Sequence, residues 1–254
     1  MLIIIRMFLI KTLKDVMNVF YTIILPLGLL IGLGIYMDSS LYQKQILAGV
    51  LAISVIFGAF YSMGFVILQQ RNRGVYRLLK STPFSILKYV LSMALSRTIF
   101  SLTVSIIMLI TGFFLFNVAL GAVNILILFL ILGTGTLCFT GFGFLAANFS
   151  RNEVQVSIIA NLISMPMIFF SEAFYNLDSL LEWITIIGKV LPFHYFVESM
   201  QTVIYNNLAD FLFPFSILVI FTVSIILLAS LTFRWDANMS PFSEIKLLLK
   251  RKTM

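Results

Sequence analysis

Apolar residues along this chain fall into six blocks long enough to cross a bilayer: about 16–36, 46–68, 89–116, 125–147, 156–175 and 211–233. A spanning helix needs roughly 20 mostly apolar residues. The connectors are short, as at 117–123, so neighbouring spans run antiparallel. The pattern predicts an all-α integral membrane protein with six transmembrane helices, folded as a single unit over 1–254. Four segments lie outside the spans: an interfacial helix at 1–15, a polar loop at 69–83, a helical segment at 176–210 and a tail at 234–254.

Composition and charge sharpen this picture. Hydrophobic residues make up 61% of the chain and charged residues 11%, against about 25% charged in a soluble domain. Basic residues concentrate in alternate connectors. With both termini placed in the cytoplasm, 15 of the 17 basic residues lie inside and only Lys44 and Lys189 outside, as the positive-inside rule requires. The net charge of +7 therefore reflects topology and an anionic inner leaflet, and gives no support for nucleic-acid binding. The opening apolar run is five residues long and ends at Arg6, so no cleavable signal is expected. Abundant Ile, Phe, Lys and Asn point to an AT-rich, bacterial source. The sole cysteine, Cys138, lies in the fourth span and excludes an intramolecular disulfide and a Cys/His metal cluster.

Residues 1–14 read as an amphipathic helix on the inner surface, with Lys11, Lys14, Asp15 and Asn18 at helical spacing. It is either an anchoring elbow or a contact for a cytosolic partner. The first cytosolic loop, Gln69-Gln70-Arg71-Asn72-Arg73-Gly74-Val75-Tyr76-Arg77-Leu78-Leu79-Lys80, contains no acid. Arg73, Arg77 and Lys80 share one helical face; Val75, Leu78 and Leu79 share another. Thr82 is a predicted N-cap with Pro83 at the first helical position, so one helix stops and another starts there. Such a crosswise helix can dock into a soluble subunit, with Tyr76 and Leu79 as anchors; a solvated, lipid-hugging loop is the other reading. Beyond the fifth span, Leu177, Leu180, Leu181, Ile184 and Ile187 form an apolar stripe opposite Asp178, Ser179 and Glu182. Pro192 ends that helix, and a second runs through Met200, Val203 and Ile204.

Within the spans, Ser157, Asn161, Ser164 and Glu172 fall on one face of the fifth, near Met165, Pro166 and Met167. Small polar residues join helices in bilayers; the same stripe is also a candidate wetted wall of a substrate path, with Glu172 at its outer end. Arg97 either snorkels to inner headgroups or pairs inside the bundle. Gly28 and Gly32, after Pro26, have the spacing of a close helix contact.

Two stretches carry a resemblance. Residues 73–83 read Arg-Gly-Val-Tyr-Arg-Leu-Leu-Lys-Ser-Thr-Pro. This resembles the loop between the second and third spans of type-2 ABC transporter permeases, whose usual form is Arg-Gly-Thr-x-Glu-x-Leu-x-x-Thr-Pro. Val75 stands in place of the Thr and Arg77 in place of the acid. Residues 166–195, ending Val190-Leu-Pro-Phe-His-Tyr, are similar to the family's fifth span, outer helices and Leu-Pro-x-x-Tyr exit. The resemblance implies a permease that works with a separate ABC ATPase subunit. It also implies a second permease chain, a copy of this one rather than a paralogue. It places Arg73, Gly74, Val75, Tyr76, Arg77, Leu78, Leu79, Thr82 and Pro83 at the ATPase contact, and a helical hairpin at the exit that dips into the outer leaflet. An ordinary amphipathic surface helix is the alternative for that hairpin.

The chain contains no Gly-x-x-x-x-Gly-Lys-Ser/Thr phosphate loop, so ATP and its magnesium are expected in the partner and no cofactor or catalytic residue here. The expected function is export, through the cell membrane, of amphipathic peptides or hydrophobic drugs, which an apolar, methionine-bearing path suits. A stand-alone secondary transporter and a non-transporting immunity or sensor protein are the rival classes. The charge asymmetry makes the topology testable: fusion reporters at residue 254 and within 117–123 are expected to read opposite compartments, and reporters on the same side would end the six-span scheme.

Overall fold

The computed structural model describes residues 2–36, 39–81, 86–118, 120–174 and 182–232. Among them there is no strand. The helices are α1 (Leu2–Lys14), α2 (Val16–Tyr36), α3 (Ser40–Asn72), α4 (Val75–Lys80), α5 (Ile86–Phe116), α6 (Ala122–Phe149), α7 (Glu153–Phe169), α8 (Glu182–Val190), α9 (Pro192–Ile204) and α10 (Leu212–Leu231). Five of these, α2, α3, α5, α6 and α10, are long and apolar enough to cross a membrane.

The expected fifth span at 156–175 is shorter than the sequence implied. Its helix, α7, has 17 residues and ends at Phe169, and so reaches about 25 Å against a hydrocarbon core of about 30 Å. Pro166 lies in its last turn. In contrast α3, with 33 residues, reaches about 50 Å and overruns the core. Its C-terminal end packs at the end of the bundle that also carries α1 and α4. Arg6, Lys11, Arg73 and Arg151 belong to that basic end.

The core is built around α3. Its most apolar window is 83% buried, whereas that of α2 is 22% buried. A helix buried on nearly every side must let its neighbours approach closely, and small residues permit this. At the crossing with α6, Gly143 lies so near that a β-carbon there would stand 2.6 Å from the Phe60 carbonyl oxygen and 3.1 Å from the Gly64 nitrogen. Wide π-helical turns at Ile56–Tyr61 in α3 and Phe20–Ile24 in α2 face each other, and there Gly58 packs on Thr22. By contrast, Gly28 and Gly32 meet nothing within 4 Å. The predicted close contact is not made among the described residues.

Helix α1 forms as expected, but its polar residues do not share a continuous face. Asp15 interrupts the helix and caps α2, accepting from the Asn18 backbone N–H at 3.2 Å. Asn18 and Thr12 are buried, and Phe8 packs edge-on against Tyr89 of α5, ring centroids 5.5 Å apart. Arg97 is 6% exposed, with Asp15 as its compensating charge. It is enclosed by neighbouring side chains of the bundle.

Helix α9 is a core element. Phe193, Phe196, Val197, Met200 and Val203 are fully buried against α3, α6 and α10. Phe139 of α6 meets Phe193 and Phe196 with centroids 5.9 and 5.6 Å apart. Asn124 donates to the Val203 carbonyl at 3.0 Å and to Asn206 at 2.9 Å, closing the far end of α9. An ordinary surface helix is therefore excluded here. The expected stripe residues Leu177, Asp178, Ser179, Leu180 and Leu181, and the tail at 234–254, lie outside the described residues.

The α3–α6 crossing yields a direct test. Gly143→Ala forces a methyl against a main-chain carbonyl that cannot swing away, so a loss of about 1–3 kcal/mol is expected. Gly28→Ala, with open space around it, is expected to unfold like the parent chain. Thermal unfolding of the purified single chain in detergent compares the two.

Candidate coupling element and substrate path

Two sites emerge, one at the basic end and one between α3 and α7. At the basic end, α3 turns into α4 through Gly74, whose φ of +71° lies in the left-handed region that favours glycine. The turn is held by the Arg73 N–H on the Gln69 carbonyl at 2.9 Å and the Gly74 N–H on the Arg71 carbonyl at 3.0 Å. Helix α4 then lies across the ends of α3 and α5.

The structure divides the residues expected to dock. Tyr76 is completely buried and points into the bundle among Phe8, Met63, Ile67, Tyr89 and Met93. Its hydroxyl donates to Gln70 Oε1 at 3.2 Å, and its ring meets Tyr89 edge-on at 6.3 Å. Burial, and then Tyr89, push the phenol far above its ordinary pKa, so it remains a neutral donor. Val75 and Leu79 are half-buried against the same cluster. Leu78 alone of the apolar set is strongly exposed, at 67%, and Arg73 is exposed beside the turn. Tyr76 and Leu79 therefore anchor α4 to the bundle instead of facing outward. Leu78 and Arg73 face outward. The side chains of Arg77 and Lys80, and residues Thr82 and Pro83, lie outside the described set. Nearby, burial followed by the charges of Arg73 and Arg97 holds the Lys11 amine below its ordinary pKa, opposed by Asp15. This corner therefore presents concentrated positive charge.

The second site gathers the polar stripe of α7 around a residue that the sequence pattern did not single out. Tyr61, on the π-helical turn of α3, donates to Asn161 Oδ1 at 2.8 Å and lies 2.6 Å from Ser164 Oγ. A phenol has one proton, so the Ser164 hydroxyl donates back to Tyr61. Asn161 Nδ2 reaches Ser157 Oγ at 3.4 Å. Phe57 and Tyr21 continue the line, with centroids 5.3 Å from Tyr61 to Phe57 and 5.7 Å from Phe57 to Tyr21. Asn161 and Tyr21 are exposed, Ser157 and Tyr61 half-buried, and Ser164 buried. The result is a partly exposed strip of aromatic and neutral-polar side chains along α3 and α7. A tyrosine in mid-span needs a hydrogen-bond partner. That requirement, set beside the one polar stripe, was the available signal for Tyr61.

Glu172 does not belong to this stripe. It lies past the end of α7, where its carbonyl accepts from Gln45 of α3 at 3.1 Å and from Gln201 of α9 at 2.8 Å. Its carboxylate neighbours Glu198, whose pKa is raised by burial first and by Glu172 second, with Lys189 opposing. His194 Nε2 is 3.6 Å from Glu198 Oε2, too long for a hydrogen bond. Among the described residues no group of His, Cys, Asp and Glu is arranged to hold a metal ion.

A family model described as ABC-2 type transporter matches residues 2–205. The chain belongs to the ABC-2 type transporter family. It is thus a permease component of an ABC transporter, a transport subunit and not a catalyst, and the family implies an ABC ATPase partner. No curated protein matches the chain. The match runs from the first residues of α1 through α9 and includes both candidate sites.

Inward anchoring of the permease's α4 makes its side chains separable by experiment. Tyr76→Ala empties a fully buried site and is expected to destabilise the permease by about 3–5 kcal/mol. Tyr76→Phe keeps the ring and removes the hydroxyl that bonds Gln70, an expected loss of about 1 kcal/mol. Leu78→Ala is expected to fold normally. Detergent melting curves of the three variants check this order.

Proposed function

We propose that this permease is the membrane half of an ATP-driven exporter in a bacterial cell membrane, with both termini in the cytoplasm. The observation that carries the reading is α4: a short helix locked to the bundle by Tyr76, with Leu78 and Arg73 left outside. A coupling element must be rigid toward its own spans and free toward its partner. Helix α4 has both properties. Leu78 would enter an apolar groove on the ATPase, and Arg73, with Arg77 and Lys80, would supply peripheral charge. Only residues 81–85 separate α4 from α5 in the sequence, so a push on α4 would reach that span as well.

A second copy of the chain is the proposed partner in the membrane. The open Gly28 and Gly32 on α2, the least buried span, support it. So does α7, whose Val154, Ile158, Leu162 and Phe169 are exposed along one stripe. The strip of Tyr21, Phe57, Tyr61, Ser157, Asn161 and Ser164 would then face the shared path. Its rings and uncharged hydroxyl and amide groups suit amphipathic peptides or hydrophobic drugs better than sugars or ions. Glu172, near Glu198 at the far end, would favour cationic cargo at release. ATP and magnesium belong to the partner subunit, and nucleic acid has no part.

The test is co-purification with an ABC ATPase, followed by hydrolysis and export assays. Leu78→Ala is expected to weaken ATPase recovery about tenfold, the loss of a medium-sized interface anchor. Arg73→Ala is expected to act more mildly and more strongly at low salt. Glu172→Gln is expected to lower export of cationic substrates more than of neutral ones. Wild-type recovery and export for Leu78→Ala would remove α4 from the interface. A parent chain that recovers no ATPase would favour the carrier or immunity classes.

A further inference from the structure

Three consecutive residues at the end of α3 hold three different elements. Successive side chains on a helix point about 100° apart, so a triplet can reach in three directions. Gln69 donates to Glu153 Oε1, at the start of α7, at 3.2 Å. Gln70 accepts from Tyr76 of α4. Arg71 donates through Nη2 to the main-chain carbonyl of Ser150 at 2.5 Å.

The Arg71 contact is unusual for its burial. The side chain is 4% exposed, and a guanidinium is seldom taken out of water without strong acceptors. Ser150 follows the last residue of α6. Carbonyls at a helix end lack helical donors and carry the negative end of the helix dipole. Arg71 therefore caps α6 from a neighbouring helix. The capped end is itself tied down: the Ser150 hydroxyl donates to the Ala146 carbonyl at 2.6 Å, and Asn148 donates to the Ala229 carbonyl at 3.2 Å and to Thr232 Oγ1 at 3.1 Å on α10.

We propose that Arg71 is a positioning residue for transport, clamping the connection between α6 and α7 to the end of α3 so that it moves with α4. This rests on α4 being the coupling element. A displacement of α4 passes through Tyr76 and Gln70 to the end of α3. Through Arg71 and Gln69 it then passes to both ends of the 150–153 connection. Helix α7, which carries Ser157, Asn161 and Ser164, is thereby drawn with α3, and Tyr61 keeps its partners. ATPase motion reaches the Tyr61 strip by this route.

The experiment compares Arg71→Met with Arg71→Lys, which keeps a cation able to reach the carbonyl. In the permease alone, in lipid nanodiscs, Arg71→Met is expected to speed amide hydrogen exchange at 151–157 about tenfold or more, with the middle of α5 unchanged. Arg71→Lys is expected to do so less. In the complex, Arg71→Met is expected to keep ATPase recovery and basal hydrolysis within about twofold of the parent. Transport per ATP is expected to fall about tenfold, and Arg71→Lys to restore about a third of it. Gln69→Ala, at the exposed end of the clamp, is expected to show a smaller loss of the same kind. Unchanged exchange at 151–157, faster exchange in every helix, or unchanged transport per ATP in Arg71→Met would overturn the proposal. A parent complex without ATP-driven transport would overturn the exporter reading instead, and the exchange data would still decide the clamp.

Discussion

The architecture depends on how closely α6 can approach α3. In lipid no hydrophobic force pulls two apolar helices together, because acyl chains are as apolar as leucine. Association then rests on dispersion contacts and polar pairs, and dispersion rewards only near contact. Gly143 supplies that contact, with its α-carbon against the main chain at Phe60 and Gly64. Helix α3 can consequently be enclosed by α2, α5, α6, α7 and α9 together. The other spans keep broad apolar faces outward, as helices facing lipid or a second chain must.

Polar groups supply the second cohesive element, and they are placed at the joints. Thr136 donates to Ser101 at 3.1 Å between α6 and α5. Gln45 and Gln201 meet on one carbonyl, that of Glu172, and so fasten the chain beyond α7 to α3 and α9. Tyr61 does the same for the middle of α7. Many serines and threonines, such as Ser105 and Thr103, instead donate to carbonyls four residues earlier in their own helices. They are satisfied locally and join nothing. A polar residue in a span is therefore not by itself a sign of a path. The Tyr61 strip differs from the buried pairs in its exposure beside aromatic rings.

The basic end combines rigidity with an accessible surface. Helix α4 has only six residues, too few to be stable alone, and it owes its order to Tyr76. With that ring seated among α1, α3 and α5, the outward side of α4 is presented without loosening the bundle beneath it. The same economy recurs at Arg71, where one buried cation orders the end of α6.

The sequence by itself determined the helical class, the positions of most long apolar helices, a separate N-terminal helix and a short helix within 73–83. These follow from block length, charge asymmetry and the 73–83 order, which are local properties. It also marked Ser157, Asn161 and Ser164 as one face. It misjudged the length of α7, because apolar composition continues past Phe169 although the helix does not. It misassigned Tyr76 and Leu79, because helical periodicity groups residues by face without saying which face meets the bundle. Only the tertiary structure decided that Gly28 and Gly32 stay open while Gly143 is closed, that Tyr61 completes the polar stripe, and that Arg71 reaches Ser150. Each of these is a pairing between segments far apart in the chain. Such pairings depend on which helices are neighbours and on their rotation, and helices of nearly uniform hydrophobicity carry almost no record of either.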